Sequence, residues 1–122
     1  MAYEVPLFSL SFLAGEDLAS RQFRFVRLTP NGIRLADTPG EAVIGILQDE
    51  PGANEAGSVM VLGVSKVVSG GAIARGDELT NNAEGAAIPA GPQDRIHGMA
   101  LEAAASPGEI ITMLIRPNGI AE

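Results

Sequence analysis

The residues that could do covalent or metal chemistry are few and badly placed for it. His97 is the single histidine, and it stands between Ile96 and Gly98 in a strand-like stretch with no acid beside it. A general base needs an orienting partner and a proton within reach, so a packed or surface imidazole is the simpler reading. Ser65, Ser69 and Ser106 lack the glycine-flanked turn that exposes a nucleophilic serine. Asp49-Glu50 and Asp77-Glu78 are adjacent pairs whose side chains diverge in extended chain. Their oxygens could reach a Ca²⁺ ion, but the EF-hand spacing is missing and solvated turns account for them. Gly70-Gly71 with Gly76 matches neither a phosphate-binding loop nor a dinucleotide fingerprint. Cysteine is absent, which removes disulfides and thiolate metal sites. No catalytic residue, cofactor or metal site is expected.

Lys66, the only lysine, invites one comparison. Lipoyl and biotinyl domains carry their modified lysine at a hairpin tip. Lys66 instead lies inside a β-branched run, with no turn residues beside it.

The elements that would position any site are strands. Apolar residues make up 46% of the 122, yet only 4% are aromatic and Trp is absent, so Val, Ile, Leu and Ala must build the core. Fifteen glycines and eight prolines without a period of three give many turns and exclude a collagen-like chain. Phe8, Leu10 and Phe12 alternate with Leu7, Ser9, Ser11 and Leu13, which suits a pleated segment. Residues 1–14 therefore read as an edge strand or an extended N-terminal arm, with Pro6 favouring an edge. Gln22–Leu28 and Ile33–Leu35 flank a Thr29-Pro30-Asn31-Gly32 hairpin turn. Ala42–Leu47 is a buried strand in which Gly45 marks a close approach or bulge. Ser58–Val68 is the longest β-branched run, apolar on both faces as far as Val64, and so central. It delivers the chain to the Gly70-Gly71 turn and the Gly76-Asp77 corner. Thr80–Gly85 makes another hairpin tip, Arg95–Ala105 reads as strand plus loop, and Ile110–Ile115 closes the fold. Short strands with frequent turns predict an all-β barrel or sandwich, with residues 15–122 forming one domain.

A partial two-fold repeat supports this. Gly32 and Gly85 each follow a Leu-Thr hairpin, Leu28-Thr29 and Leu79-Thr80. Gly45 and Gly98 lie thirteen residues further on in each case. Both pairs are 53 apart, and Gly57 and Gly108, 51 apart, extend the series. Two hairpin-plus-two-strand units would pack face to face or close a small barrel.

Charge narrows the partners. The net charge is -7, with eight bases against fifteen acids, which argues against tracking a nucleic-acid backbone. No apolar run approaches the roughly 18 residues of a membrane span, and no secretory signal is evident, so a soluble protein made in the cytoplasm is expected. Arg21, Arg24, Arg27 and Arg34 cluster in an acid-free stretch, followed by Asp37, Glu41, Asp49, Glu50 and Glu55 without a base. Such ends can match on neighbouring copies, or simply face water.

From Gly15 to Ile115 the sequence resembles the capsid cement, or head-decoration, proteins of tailed bacteriophages. The matching residues are Ala42–Ile46, Gly57–Val61, Gly70–Thr80 (GGAIARGDELT), Gly85, Gly98–Ala104 and Gly108–Ile111. The resemblance implies a non-enzymatic protein on the outer surface of an assembled head, made in the host cytoplasm. It implies bridging of major capsid protein subunits, as a homotrimer. Tyr3, Val5, Pro6 and Phe8, with Arg21, Arg24 and Arg27, are the expected capsid or intersubunit contacts. A small β-clip or carbohydrate-binding module is the alternative, since a Gly-Asp-Glu-Leu corner also occurs there. Sugar sites usually need exposed aromatics, and this chain has five aromatic residues in all.

Overall fold

The computed structural model describes residues 2–122. Nine strands form one sheet: β1 (Val5–Leu13), β2 (Phe25–Thr29), β3 (Gly32–Leu35), β4 (Gly45–Leu47), β5 (Ala56–Val68), β6 (Glu78–Asn81), β7 (Ala87–Pro89), β8 (Gly98–Ala100) and β9 (Ile110–Ile115). The spatial order is β3-β2-β4-β5-β9-β8-β6-β7, with β1 added to β5 off this path. All ladders between named strands are antiparallel.

That order reads the same from both ends. A hairpin (β2–β3, then β6–β7) is followed by a short strand (β4, β8) and a longer one (β5, β9), and the two units join where β5 pairs with β9. Register carries the repeat further: Gly45 lies opposite Val26, and Gly98 lies opposite Leu79, at the same spacing of 53. Both glycines are required by close approach. An added Cβ at Gly45 would overlap the Met60 carbonyl, and one at Gly98 the Leu114 carbonyl, each on the next strand.

The third glycine pair is not part of the repeat. Ile46 faces Met60 and Met99 faces Leu114, so the last strands are offset by 54 rather than 51. Gly57 lies within β5, opposite Phe12, whereas Gly108 sits in the turn before β9 at φ 87°. β5 begins early because β1 pairs with its first half. The likeness of those two glycines was turn composition alone.

The sheet curls until its ends meet. The Phe25 amide donates to the Gly85 carbonyl, Gly40 to Asn81, and Arg95 to Gly40, which ties the β2–β3 end to the β6–β7 end. Inside lies a core from both units, with Phe25, Ile46, Met60 and Val67 against Leu79, Ala100, Ile111, Met113 and Ile115. Strand alternation sends Val26, Leu47 and Val59 to the opposite face. There they bury against Ala14, Leu18 and Ile33, with Phe12 and Val61 at the margin. The first unit is thus packed on both faces, which is why Ser58–Val64 has no polar face.

Gly70–Asp77 makes the corner between the units. Gly70 donates to Ala87, and Ile73 exchanges both backbone bonds with Ala104. The Asp77 carboxylate accepts from the Ala74 amide, and Gly76 turns the chain at φ 92°.

Candidate contact surface

β1 is held by backbone. It pairs with β5 from Val5 opposite Val64 to Leu13 opposite Ala56, with irregularities around Phe8. The Tyr3 amide, ahead of the strand, donates to Thr112 Oγ1 on β9 at 2.9 Å. Residues 5–13 therefore lie on the chain's own sheet as an edge strand.

Its side chains are largely left out of the core. Phe12 alone reaches the second apolar cluster. Leu7 is 77% exposed, Leu13 59%, Phe8 50% and Val5 49%. The alternation in the sequence suggests one inward and one outward face, yet Phe8 and Leu10, on the presumed inward register, remain exposed. The physical reason is position: the short β4 and the hairpin cover only the end of β5 near Val59 and Met60, so the Val5–Leu10 part of β1 extends past the layer that would bury it. With Leu62 of β5 also exposed, the strand presents contiguous apolar residues to solvent. A contiguous apolar patch of this kind marks a contact surface. Its outer edge adds unpaired backbone groups, which invite pairing with another chain.

Of the residues expected from sequence, Tyr3, Val5, Pro6 and Phe8 all lie on this exposed segment. The arginines lie elsewhere on the fold, and Arg24 and Arg27 have partners within the chain. Arg24 donates through Nη1 to the Glu84 carbonyl at 2.8 Å, and burial, with Arg21 nearby, lowers its pKa. Arg27 meets Asp37 at 3.5 Å, and Arg34 meets Glu16 at 3.6 Å. Such exposed ion pairs contribute under about 1 kcal/mol each. Much of the acid-free run is therefore matched within the chain. Leu7, Leu10, Leu13 and Leu62 are surface residues that sequence reasoning left out. Leucine on both registers of one strand was the signal available.

The groups capable of chemistry are dispersed. Lys66 lies in mid-strand opposite Thr112, its ammonium 5.6 Å from the centre of the Phe23 ring, in cation–π range. His97 is buried, its Nε2 2.9 Å from Asn81 Oδ1 and its ring 4.9 Å from that of Phe25. Burial and the charge of Arg95 push its pKa down to about 4. The carboxylates of Asp77 and Glu109 cap loop amides, and that of Asp49 accepts from the Ser58 amide in β5. Among the described residues no three acidic, His or Cys side chains group as metal ligands. Nor is any helix long and apolar enough to cross a membrane. Phe25 is buried, and the exposed aromatics Tyr3, just ahead of β1, and Phe8, within it, belong to one N-terminal segment.

The comparisons agree with this geometry. The family model of phage cement proteins matches residues 9–117. The head fiber gp8.5 N base of bacteriophage phi29 superposes with a TM-score of 0.71 at 20% sequence identity, over 94% of this chain and 98% of that one. No curated protein matches the chain. At that identity the superposition establishes the shared fold, while the family match covers nearly every strand. The chain belongs to the phage cement protein family, and is a non-enzymatic, capsid-associated protein.

Proposed function

We propose that the protein sits on the outer surface of an assembled phage head, as a homotrimer, and clamps neighbouring major capsid protein subunits together. In this reading residues 1–14 are the contact arm and residues 15–122 the single decoration domain that carries it. The observation behind it is β1: nine residues anchored through the backbone to β5, with apolar side chains facing water. A strand fixed in place loses little further entropy when it docks, so the apolar area it buries is retained as affinity. Repetition over a lattice then multiplies weak individual contacts.

Tyr3, Val5, Pro6 and Phe8 are the proposed contacts at the arm. Arg21, Arg24 and Arg27, away from the arm, are the proposed subunit-to-subunit contacts. Deleting residues 2–8 should abolish occupancy on purified heads that lack the protein. Unchanged occupancy would remove the arm from the reading. Light scattering of the free protein, compared with its copy number on heads, tests the trimer.

A further inference from the structure

The two units meet along a cleft of about 180 Å³. Its walls are apolar, formed by Phe25, Val43, Ile44, Val61, Ile96 and Ile115. The lining residues exposed to solvent are Ala42, Arg95, Pro117 and Gly119, and they form its mouth. Two walls are repeat equivalents: the approach to β4, residues 42–44, faces the approach to β8, residues 95–97, at the spacing of 53. The repeat is broken at one point. Where the first unit has Ile44, the second has His97.

The hydrogen bonds fix what His97 offers. The Asn81 Nδ2 donates to the carbonyls of Thr38 and Asn82, each at 3.0 Å. Asn81 Oδ1 is therefore the acceptor facing His97 Nε2, and that nitrogen must carry the proton. In a neutral ring Nδ1 is then an acceptor. The depressed pKa keeps the ring neutral near pH 7. Nδ1 makes no hydrogen bond among the described residues. His97 itself lines the cleft. One acceptor without a hydrogen bond thus belongs to a residue of the cleft wall that is only 6% exposed.

We propose that this cleft receives one tyrosine or tryptophan side chain of the capsid shell protein, whose O–H or N–H donates to His97 Nδ1. The proposal rests on the reading that the chain binds that shell. The size is right, because an apolar cavity of about 150 Å³ accepts a benzene ring. Small polar side chains could donate too but leave the apolar walls unfilled, and three other classes fail for separate reasons. A lysine or arginine meets Arg95 at the mouth, an ionised carboxylate has no proton to donate, and an aliphatic group leaves the acceptor buried and unpaired.

The test uses the intact protein labelled with ¹⁵N. Adding p-cresol should move the His97 Nδ1 resonance and saturate, while toluene, with no donor, binds about tenfold more weakly, as the loss of one hydrogen bond dictates. Equal binding of the two, or binding of neither up to their solubility, overturns the inference. On heads, Ala42→Trp should close the mouth and cut occupancy about tenfold, with an unchanged melting temperature. If Ala42→Trp binds heads normally while deletion of residues 2–8 abolishes binding, the shell reading stands and the cleft assignment falls. If both variants bind heads normally, the cleft and the arm both fall as contacts; if the unaltered protein itself does not bind heads, the shell reading falls. Should Ala42→Trp fold poorly, the cresol–toluene pair decides alone.

Discussion

The two units of this sheet share a backbone plan and differ in how they are covered. Phe25–Val68 is packed on both faces: one against the other unit, the other beneath Ala14, Leu18 and Phe12. Glu78–Ile115 contributes only to the shared core. Where the first unit has Leu28 and Ile44, the second has the hydrogen-bonded pair Asn81 and His97. The glycines, which govern how close neighbouring strands can come, keep their spacing in both units. The side chains are free to diverge, because each answers to what lies over its own face. A repeated fold can therefore keep one half for anchorage and give the other a polar device.

Substitution at the shared glycines should be the most damaging change. Gly45→Val and Gly98→Val each force a side chain into a backbone carbonyl that cannot move without breaking a ladder, so a loss above roughly 3 kcal/mol is expected. Equal damage in chemical denaturation would sharpen the equivalence of the units. A mild effect at either position would break it.

The second layer comes next. Leu18 is fully buried although it lies outside the strands, and Leu18→Ala should cost about 2–5 kcal/mol. A loss under about 1 kcal/mol would mean that the extra layer covers the first unit without stabilising it.

The polar pair predicts a pH dependence of comparable or smaller size. His97 has a folded pKa of about 4 against an ordinary 6.5, so between those values the unfolded chain binds more protons. Stability is full above about pH 6.5 and declines as pH falls toward 4, by up to roughly 3 kcal/mol. The double change His97→Ile with Asn81→Leu restores the chemistry of the first unit and should flatten that slope. His97→Ile alone leaves Asn81 Oδ1 buried without a donor, at about 1–3 kcal/mol. Denaturation at several pH values separates these outcomes.

Smaller effects belong to the corner and the arm. Gly76 has φ 92° but nothing within 4 Å of an added Cβ, so Gly76→Val costs only backbone strain, about 1–2 kcal/mol. Folding should suffer before binding does. A folded Gly76→Val protein that fails only to bind heads would show that the corner is an interface. Leu7→Ser and Leu13→Ser should change stability by less than about 0.5 kcal/mol, because both side chains face water, yet reduce head occupancy.

Much of this architecture is legible in residue order, because turn chemistry and strand alternation are local. Thr29-Pro30-Asn31-Gly32 and the Thr80–Gly85 tip are hairpins for reasons contained in those residues. The 53-residue spacing of Gly32 with Gly85 and Gly45 with Gly98 is a property of the chain alone. Gly57 and Gly108 look like a third pair and are not, since register depends on which strand lies alongside. Tyr3, Val5, Pro6 and Phe8 can be nominated from an apolar start with a proline. That Leu7 and Leu13 stand in water, and that Arg24 and Arg27 find Glu84 and Asp37, depends on residues 10 to 60 positions away.

The sequence by itself determined an all-β chain in two similar units, without the groups for covalent chemistry, and with the glycine pattern of a cement protein. It did so because backbone conformation and composition are written residue by residue. Only the tertiary structure decided that β1 lies along β5 with its leucines uncovered. Only the tertiary structure put His97 with Asn81 beside the cleft between the units. Both depend on long-range packing, where the cover over one strand is supplied by residues far away in the chain.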